Sequence, residues 1–176
     1  LSNNSDLNGS ELLNTSNGSD ESIQPLQQAE QDGNISTVMI ASSESPIDGT
    51  IADTASERLG VPVVLTDPDQ LNDATRDQLD SLNVENVVIV GGPAALSENV
   101  EEEISSVTDA QIQRVYGETA SDTSIEVAET FWPEGYSQVK VVEAPLMTEE
   151  QETYRLLSAV VNVAEENPVL VADTQD

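Results

Sequence analysis

The chain has 176 residues, with 34 acidic side chains, 5 basic ones, no histidine and no cysteine, and its formal net charge is −29. This charge excludes nucleic acid as a partner and disfavours an anionic membrane, since no cationic surface is available to displace counterions. The missing cysteines exclude disulfides and thiolate metal sites. No run in the sequence approaches the roughly 20 apolar residues that a membrane-spanning helix needs. Hydrophobic residues make up 37% of the chain, yet they cluster in short runs, which is enough to build the core of one α/β domain. The acids are interleaved with Val-rich runs. That pattern favours a folded protein adapted to strong brine, carboxylates outward, over a disordered acidic tail. At molar salt the Debye length is about 3 Å, so the self-repulsion of such a surface is screened.

Residues 1–36 are rich in Ser, Asn and Gly, hold six acids and no base, and keep no strand or helix period. They contain five Asn-x-Ser/Thr triplets, at Asn3, Asn8, Asn14, Asn17 and Asn34, and the rest of the chain contains none. A segment unable to bury a core and dense in acceptor sites reads as an N-glycosylated extracellular stalk, so N-linked glycans are expected and no other cofactor is. The alternative is a polar linker whose composition makes triplets by chance. Residue 1 is Leu, so a processed or trimmed product is expected, with any signal peptide upstream.

From Thr37 on, strand-like and helix-like periods alternate. "TVMIA" (37–41) is a β-branched apolar run. In "IDGTIADTASERLG" (47–60), Ile47, Ile51, Ala55 and Leu59 form a helical stripe that Gly60 ends. "VPVVLT" (61–66) reads as a buried strand, with Pro62 at its start. "LNDATRDQLDSL" (71–82) places Leu71, Thr75, Leu79 and Leu82 on one helix face. "NVVIV" (86–90) is a strand, and Ser97 is expected to cap "ENVEEEISSV" (98–107) through its side chain. "QIQRVY" (111–116) alternates as a strand, and "TASDTSIEVAETF" (119–131) reads as a helix. "QVKVVEA" (138–144) is a strand, residues 148–166 a long helix, and "PVLVAD" (168–173) a last strand.

This alternation predicts a three-layer Rossmann-like or flavodoxin-like parallel sheet, preceded by the polar extended N-terminal segment. "PVVLTDPDQ" (62–70) parallels "PVLVADTQD" (168–176), so a second strand–helix array begins near residue 138. Residues 37–131 form one α/β repeat, and 132–176 are expected to be a partial second repeat packed on the same sheet. The sequence stops just after a strand, so continuation past Asp176, or cover by another subunit, is expected.

"VVIVGGPAALSENVEEEI" (87–104) raises the question of a phosphate cradle. The turn lacks Gly-x-Gly-x-x-Gly spacing and a Gly-Lys-Ser/Thr, Pro93 removes a donor, and Glu98, Glu101, Glu102 and Glu103 would repel an anion. Gly91 and Gly92 therefore read as a tight corner. The segment resembles the signature of the type 2 cell-wall-binding repeat family. "SPIDG" (45–49) resembles the family's proline motif through Pro46 and a shifted Asp48, and "RVYGETASDT" (114–123) resembles another motif through Arg114, Gly117 and Thr123. The resemblance implies a non-catalytic surface module that binds envelope polymer, often as three tandem copies around a pseudo-threefold axis. It makes Pro46, Asp48, Gly91, Gly92, Arg114, Gly117 and Thr123 the candidate ligand residues. The family's Arg-Tyr pair is Ala120-Ser121 here, and "APLMTEEQET" stands where the second proline motif belongs.

Without His or Cys, no Ser-His-Asp or Cys-His set can be assembled, and nothing selects a carboxylate pair for glycoside hydrolysis. "DPDQLND" (67–73) offers Asp67, Asp69 and Asp73 as Ca²⁺ or Mg²⁺ ligands; the alternative is that Asp67 ends a strand and Asn72 or Asp73 starts a helix. Trp132, Phe131 and Tyr136 flank "PEG" and either stack on sugars or pack at the sheet edge. Each of Arg58, Arg76, Arg114, Lys140 and Arg155 is expected to have an acidic partner.

The functional expectation is a secreted, N-glycosylated, non-catalytic protein on the surface of a halophile, expected to be archaeal. It would bind a cell-envelope polymer or a surface-layer glycoprotein. One alternative is a self-assembling, homo-oligomeric subunit of an extracellular filament or layer; the other is a nucleotide- or small-molecule-binding α/β enzyme.

Overall fold

A computed structural model describes residues 36–82, 84–143 and 167–172. Strands and helices alternate as β1 (Thr37–Ser42), α1 (Pro46–Leu59), β2 (Val63–Thr66), α2 (Asp73–Ser81), β3 (Asn86–Val90), α3 (Glu98–Val107), β4 (Gln111–Val115) and α4 (Ala120–Phe131). β5 (Lys140–Glu143) and β6 (Val169–Ala172) follow. The first four strands form one parallel sheet in the order β2-β1-β3-β4, so the expected α/β layering holds. The expected stalk, its five asparagines and the 148–166 helix with Arg155 lie outside the described residues.

The pleat of the sheet feeds two cores, because successive side chains point to opposite faces. Val38, Ile40, Val64, Val87 and Ile89 meet Leu71, Leu79, Leu96, Val100 and Ile104, so α2 and α3 cover one face. Met39, Ala41, Val88, Val90 and Val115 meet Ile51, Ala52, Ala55, Val127 and Trp132, so α1 and α4 cover the other. The buried strands are apolar on both sides, whereas edge strand β4 alternates.

The described residues of 132–176 do not extend this sheet. β5 and β6 pair with each other in a separate parallel sheet, and β6 lies against α1 and α4. Val171 joins the α1/α4 core, and its N–H donates to the Ser124 hydroxyl of α4 at 2.9 Å. The expectation of a single sheet fails because α1 is buried all round, which leaves room for a second sheet against α1 and α4.

The composition of α1 follows from that position. Buried residues of α1 run all round it and are mostly small: Gly49, Thr50, Ile51, Ala52, Thr54, Ala55 and Ser56. A helix buried all round needs no single apolar stripe, and Leu59, the last residue of the predicted stripe, is exposed. Its buried hydroxyls bond back to the helix, Thr50 to the Pro46 carbonyl at 2.8 Å and Thr54 to that of Ile51 at 2.8 Å. Gly60 ends α1 in the left-handed conformation at φ 66°.

On the other face, Glu103 of α3 accepts from the Leu71 N–H at 2.9 Å and pairs with Arg76 of α2. The Leu71 hydrogen bond, with help from Asn99 and Arg76, holds the Glu103 carboxyl below the usual carboxylate range. Trp132 is buried in the α1/α4 core with Phe131 against it, while Tyr136 is exposed; packing is thus the outcome for the first two aromatics.

Two predictions test this layering. Ala55→Leu adds apolar surface where no space exists, so it should cost about 1–3 kcal/mol in thermal or denaturant unfolding; a neutral result would mean α1 is not enclosed. Asp53 of α1 is half-buried, and burial first, then the charge of Glu57, raises its pKa to about 6. A raised folded pKa makes ionised Asp53 destabilising. The penalty is absent below the unfolded value of 3.8, grows as pH rises to about 6 and is constant above. Asp53→Asn should therefore stabilise the chain by about 1–2 kcal/mol at pH 7.5, with the gain shrinking towards pH 4 when melting of the two proteins is compared.

Candidate functional site

In an open parallel sheet, ligands bind outside the carboxyl ends of the strands where the strand order reverses. Here the reversal lies between β1 and β3, so the loops 43–45 and 91–97 diverge from one point. Most of the seven candidate ligand residues fall at this end, and local chemistry explains how they are held.

Ser45 caps α1 and Pro46 occupies its first turn, where no backbone donor is needed. The Ser45 hydroxyl accepts from the Asp48 N–H at 3.4 Å and donates to Asp48 Oδ2 at 2.7 Å. Asp48 is buried, which raises its pKa, and the Ser45 hydrogen bond opposes that in part. Gly91 has φ 119°, and a Cβ there would lie 3.0 Å from Asp48 Oδ2. Glycine is thus required both by the backbone and by the carboxylate packed against it. A Cβ on Gly92 would lie 2.9 Å from the Tyr116 ring.

Arg114 fixes the 91–97 loop from below. Its Nε donates to Glu101 of α3 at 2.9 Å, and its Nη1 donates to the carbonyls of Gly91 at 3.0 Å and Leu96 at 2.9 Å. The side chain is 10% exposed, so the guanidinium serves the loop and does not face solvent. Gly117 donates to the Thr123 hydroxyl at 3.0 Å, and a Cβ on it would lie 2.2 Å from Asp122 Cβ. Thr119 and Asp122 form a reciprocal capping box at the start of α4. Asp48 and Gly91 are thus brought together, Gly117 and Thr123 are brought together, and Arg114 reaches Gly91.

The loop is no phosphate cradle. Gly91 N–H donates to Val115, Ala95 and Leu96 both donate to the Gly92 carbonyl, Ser97 donates to Pro68, and Pro93 has no N–H. Ser97 occupies the cap position of α3, but contrary to expectation its hydroxyl makes no capping bond and is buried without a hydrogen-bond partner. Backbone contacts take over: its N–H reaches the 67–72 loop and its carbonyl accepts from Val100.

The 67–72 loop is closed by its own bonds. Asn72 caps α2 by accepting from Thr75 N–H at 2.8 Å, and the Thr66 hydroxyl accepts from Asn72 N–H at 3.0 Å. Among the described residues, no three carboxylates form a metal-binding group, and Asp67, Asp69 and Asp73 are not so arranged. A depression of about 610 Å³ lies at the opposite end of the sheet around Leu79, Leu82, Val84, Val107 and Asp109, and no candidate residue lines it.

The exposed residues at the carboxyl end include Glu44, Asp67, Asp69, Pro93, Glu118 and Tyr116, the last 46% exposed and the one aromatic among them. Sequence reasoning passed over Tyr116 because it closes the alternating "QIQRVY" pattern. Its signal is an aromatic one residue past an edge strand, level with the double glycine of the neighbouring strand.

The fold and the packed glycine turn define a doubly wound α/β unit. The family model of cell wall binding domain 2 (CWB2) matches residues 9–101, and the chain belongs to that family. The match starts inside the 1–36 segment and overlaps the 37–131 reading up to α3. Segments of N-acetylmuramoyl-L-alanine amidase LytC and of the amidase enhancer, both of Bacillus subtilis, are 32% and 28% identical over 93 and 95 residues. Those segments cover 53% and 54% of this chain but 18% and 13% of the relatives. An uncharacterized Pyrococcus abyssi protein, PYRAB14350, is 30% identical over 110 residues, 61% of this chain and 33% of that protein. Cwp6 and Cwp8 of Clostridium difficile share the fold, with TM-scores of 0.66 and 0.64 at 23% and 19% identity. They match over 83% and 82% of this chain, and 22% and 24% of their own.

Arg114→Ala should lower stability by about 2–4 kcal/mol, because two loop carbonyls lose their donor. Arg114→Lys should recover only part of this, as one ammonium cannot serve three acceptors in fork geometry. A melt of Arg114→Ala indistinguishable from the unsubstituted chain would remove the brace.

Proposed function

We propose that this chain is the attachment part of a secreted cell-surface protein, held to an envelope polymer or surface-layer glycoprotein, and that it performs no chemistry of its own. Membership of the cell wall binding domain 2 family carries this reading. Two facts support the non-catalytic part. The chain has no His or Cys to serve as base or thiol nucleophile. The turn at the switch point has most of its amides engaged inside the fold. Asn3, Asn8, Asn14, Asn17 and Asn34 would carry N-linked glycans on the segment ahead of β1.

The net charge of −29 supports a habitat in strong brine, archaeal or otherwise. Among the described residues, carboxylates stand along α2 and α3 as Asp73, Asp77, Asp80, Glu98 and Glu102, all exposed. In dilute buffer they repel one another and favour expansion. At about 1 M salt and above, the Debye length is about 3 Å or less and the repulsion fades.

The test uses the chain as it exists, mixed with purified envelopes of its source organism in about 3 M KCl, a concentration well inside the screened regime. It should sediment with them, and envelopes stripped of their glycan should hold less. Free passage of the folded chain into the supernatant would overturn attachment. Intact mass of the native protein should exceed the sequence mass by glycan increments; an unmodified mass would remove the glycan part alone.

A further inference from the structure

We infer that Tyr116 is the sugar contact of this module, and that the glycan it takes is uncharged or cationic, not polyanionic. The inference rests on the attachment role proposed above and names the ligand class for the same end of the sheet. Tyr116 stands one residue past β4, in register with the glycine corner that follows β3. The Cδ2 edge of its ring lies beside Gly92, where even a methyl group would come within 2.9 Å of the ring, and the residue is still 46% exposed.

That geometry backs the ring along one edge. Glycine lets the ring settle against the backbone, so little side-chain freedom remains to be lost on binding. The exposed part of the ring offers apolar surface and an electron-rich π system, which suit the C–H groups of a pyranose ring. The phenol oxygen adds a polar handle at its rim.

Charge selects the glycan. The loops at this end, residues 43–45, 67–72, 91–97 and 116–119, contain Glu44, Asp67, Asp69 and Glu118 and no Lys or Arg. Arg114, the cation nearest in sequence, directs Nε and Nη1 to Glu101 and two loop carbonyls. Carboxylates accept hydrogen bonds from sugar hydroxyl or ammonium groups but oppose a polyanion. An anionic wall polymer therefore meets like charge here, whereas a neutral or amino-sugar polymer does not.

The test compares Tyr116→Ala, Tyr116→Phe and Tyr116→Trp with the unsubstituted chain for retention on the same envelopes in about 3 M KCl. Tyr116→Ala should bind about tenfold more weakly, with unchanged far-UV circular dichroism, and the two aromatic variants should bind within about twofold. Glycans released from those envelopes, separated into uncharged or cationic and anionic fractions, should compete through the first fraction. Equal retention of a folded Tyr116→Ala would overturn the inference. So would competition by the anionic fraction alone, by neither fraction, or a requirement for divalent cations that EDTA removes. Should Tyr116→Ala lose its fold, the competition decides, since it needs no substitution. If the unsubstituted chain itself fails to bind envelopes, the attachment role falls and the failure is told apart from that of Tyr116.

Discussion

The Arg114 contact is the constraint on which the rest of the four-stranded unit depends. One guanidinium joins β4 to Glu101 of α3 and to two carbonyls of the turn between β3 and α3. In a chain with 5 basic residues, a buried cation is a scarce resource. Arg76 does a related task from α2 by meeting Glu103. Both ion pairs converge on α3, whose first turn is otherwise crowded with acids. The helix dipole favours carboxylates there, and Arg114 ties one of them, Glu101, to β4 and the glycine turn.

With the turn fixed from below, the double glycine becomes a packing device. A strand, two glycines and a helix start match the outline of an anion site. The outline is not enough, because an anion site needs donors aimed outward. Here Gly91, Ala95, Leu96 and Ser97 all donate inward, and Glu98 and Glu101 stand at the mouth of the helix. Gly91 makes room for Asp48, Gly92 for Tyr116 and Gly117 for Asp122. The motif residues that pointed to a ligand are therefore mainly those that let three loops approach one another.

The sequence told most about elements whose evidence is local. Period-2 and period-3.6 patterns located the strands of the main sheet and α1 to α4 to within two or three residues, since burial of one face imposes those periods. A helix start at Asn72 or Asp73 was legible because such a cap, here Asn72, reaches only two or three residues along the chain. Ser97 was not: its backbone is drawn to Pro68, 29 residues earlier, and no local rule carries that contact. The second sheet was misplaced for the same reason. β5 and β6 have strand composition, but whether they extend a sheet or cover helices is decided by the small residues along α1 and by Ser124 of α4. Tyr116 was hidden because its meaning lies in Gly92, which is adjacent only across the sheet.

Charge then limits the kind of adhesion this surface can support. In dilute buffer, 34 acids would govern every encounter at long range and repel most envelope polyanions. In brine the same charges are nearly silent beyond a few ångströms, and so is any long-range attraction. Recognition is left to forces that act at contact, namely apolar burial, aromatic faces and hydrogen bonds. Salts excluded from protein surfaces strengthen the first of these. A module that keeps its guanidinium inside and an aromatic ring outside is therefore suited to hold a sugar polymer under conditions where an exposed cationic groove would lose most of its advantage.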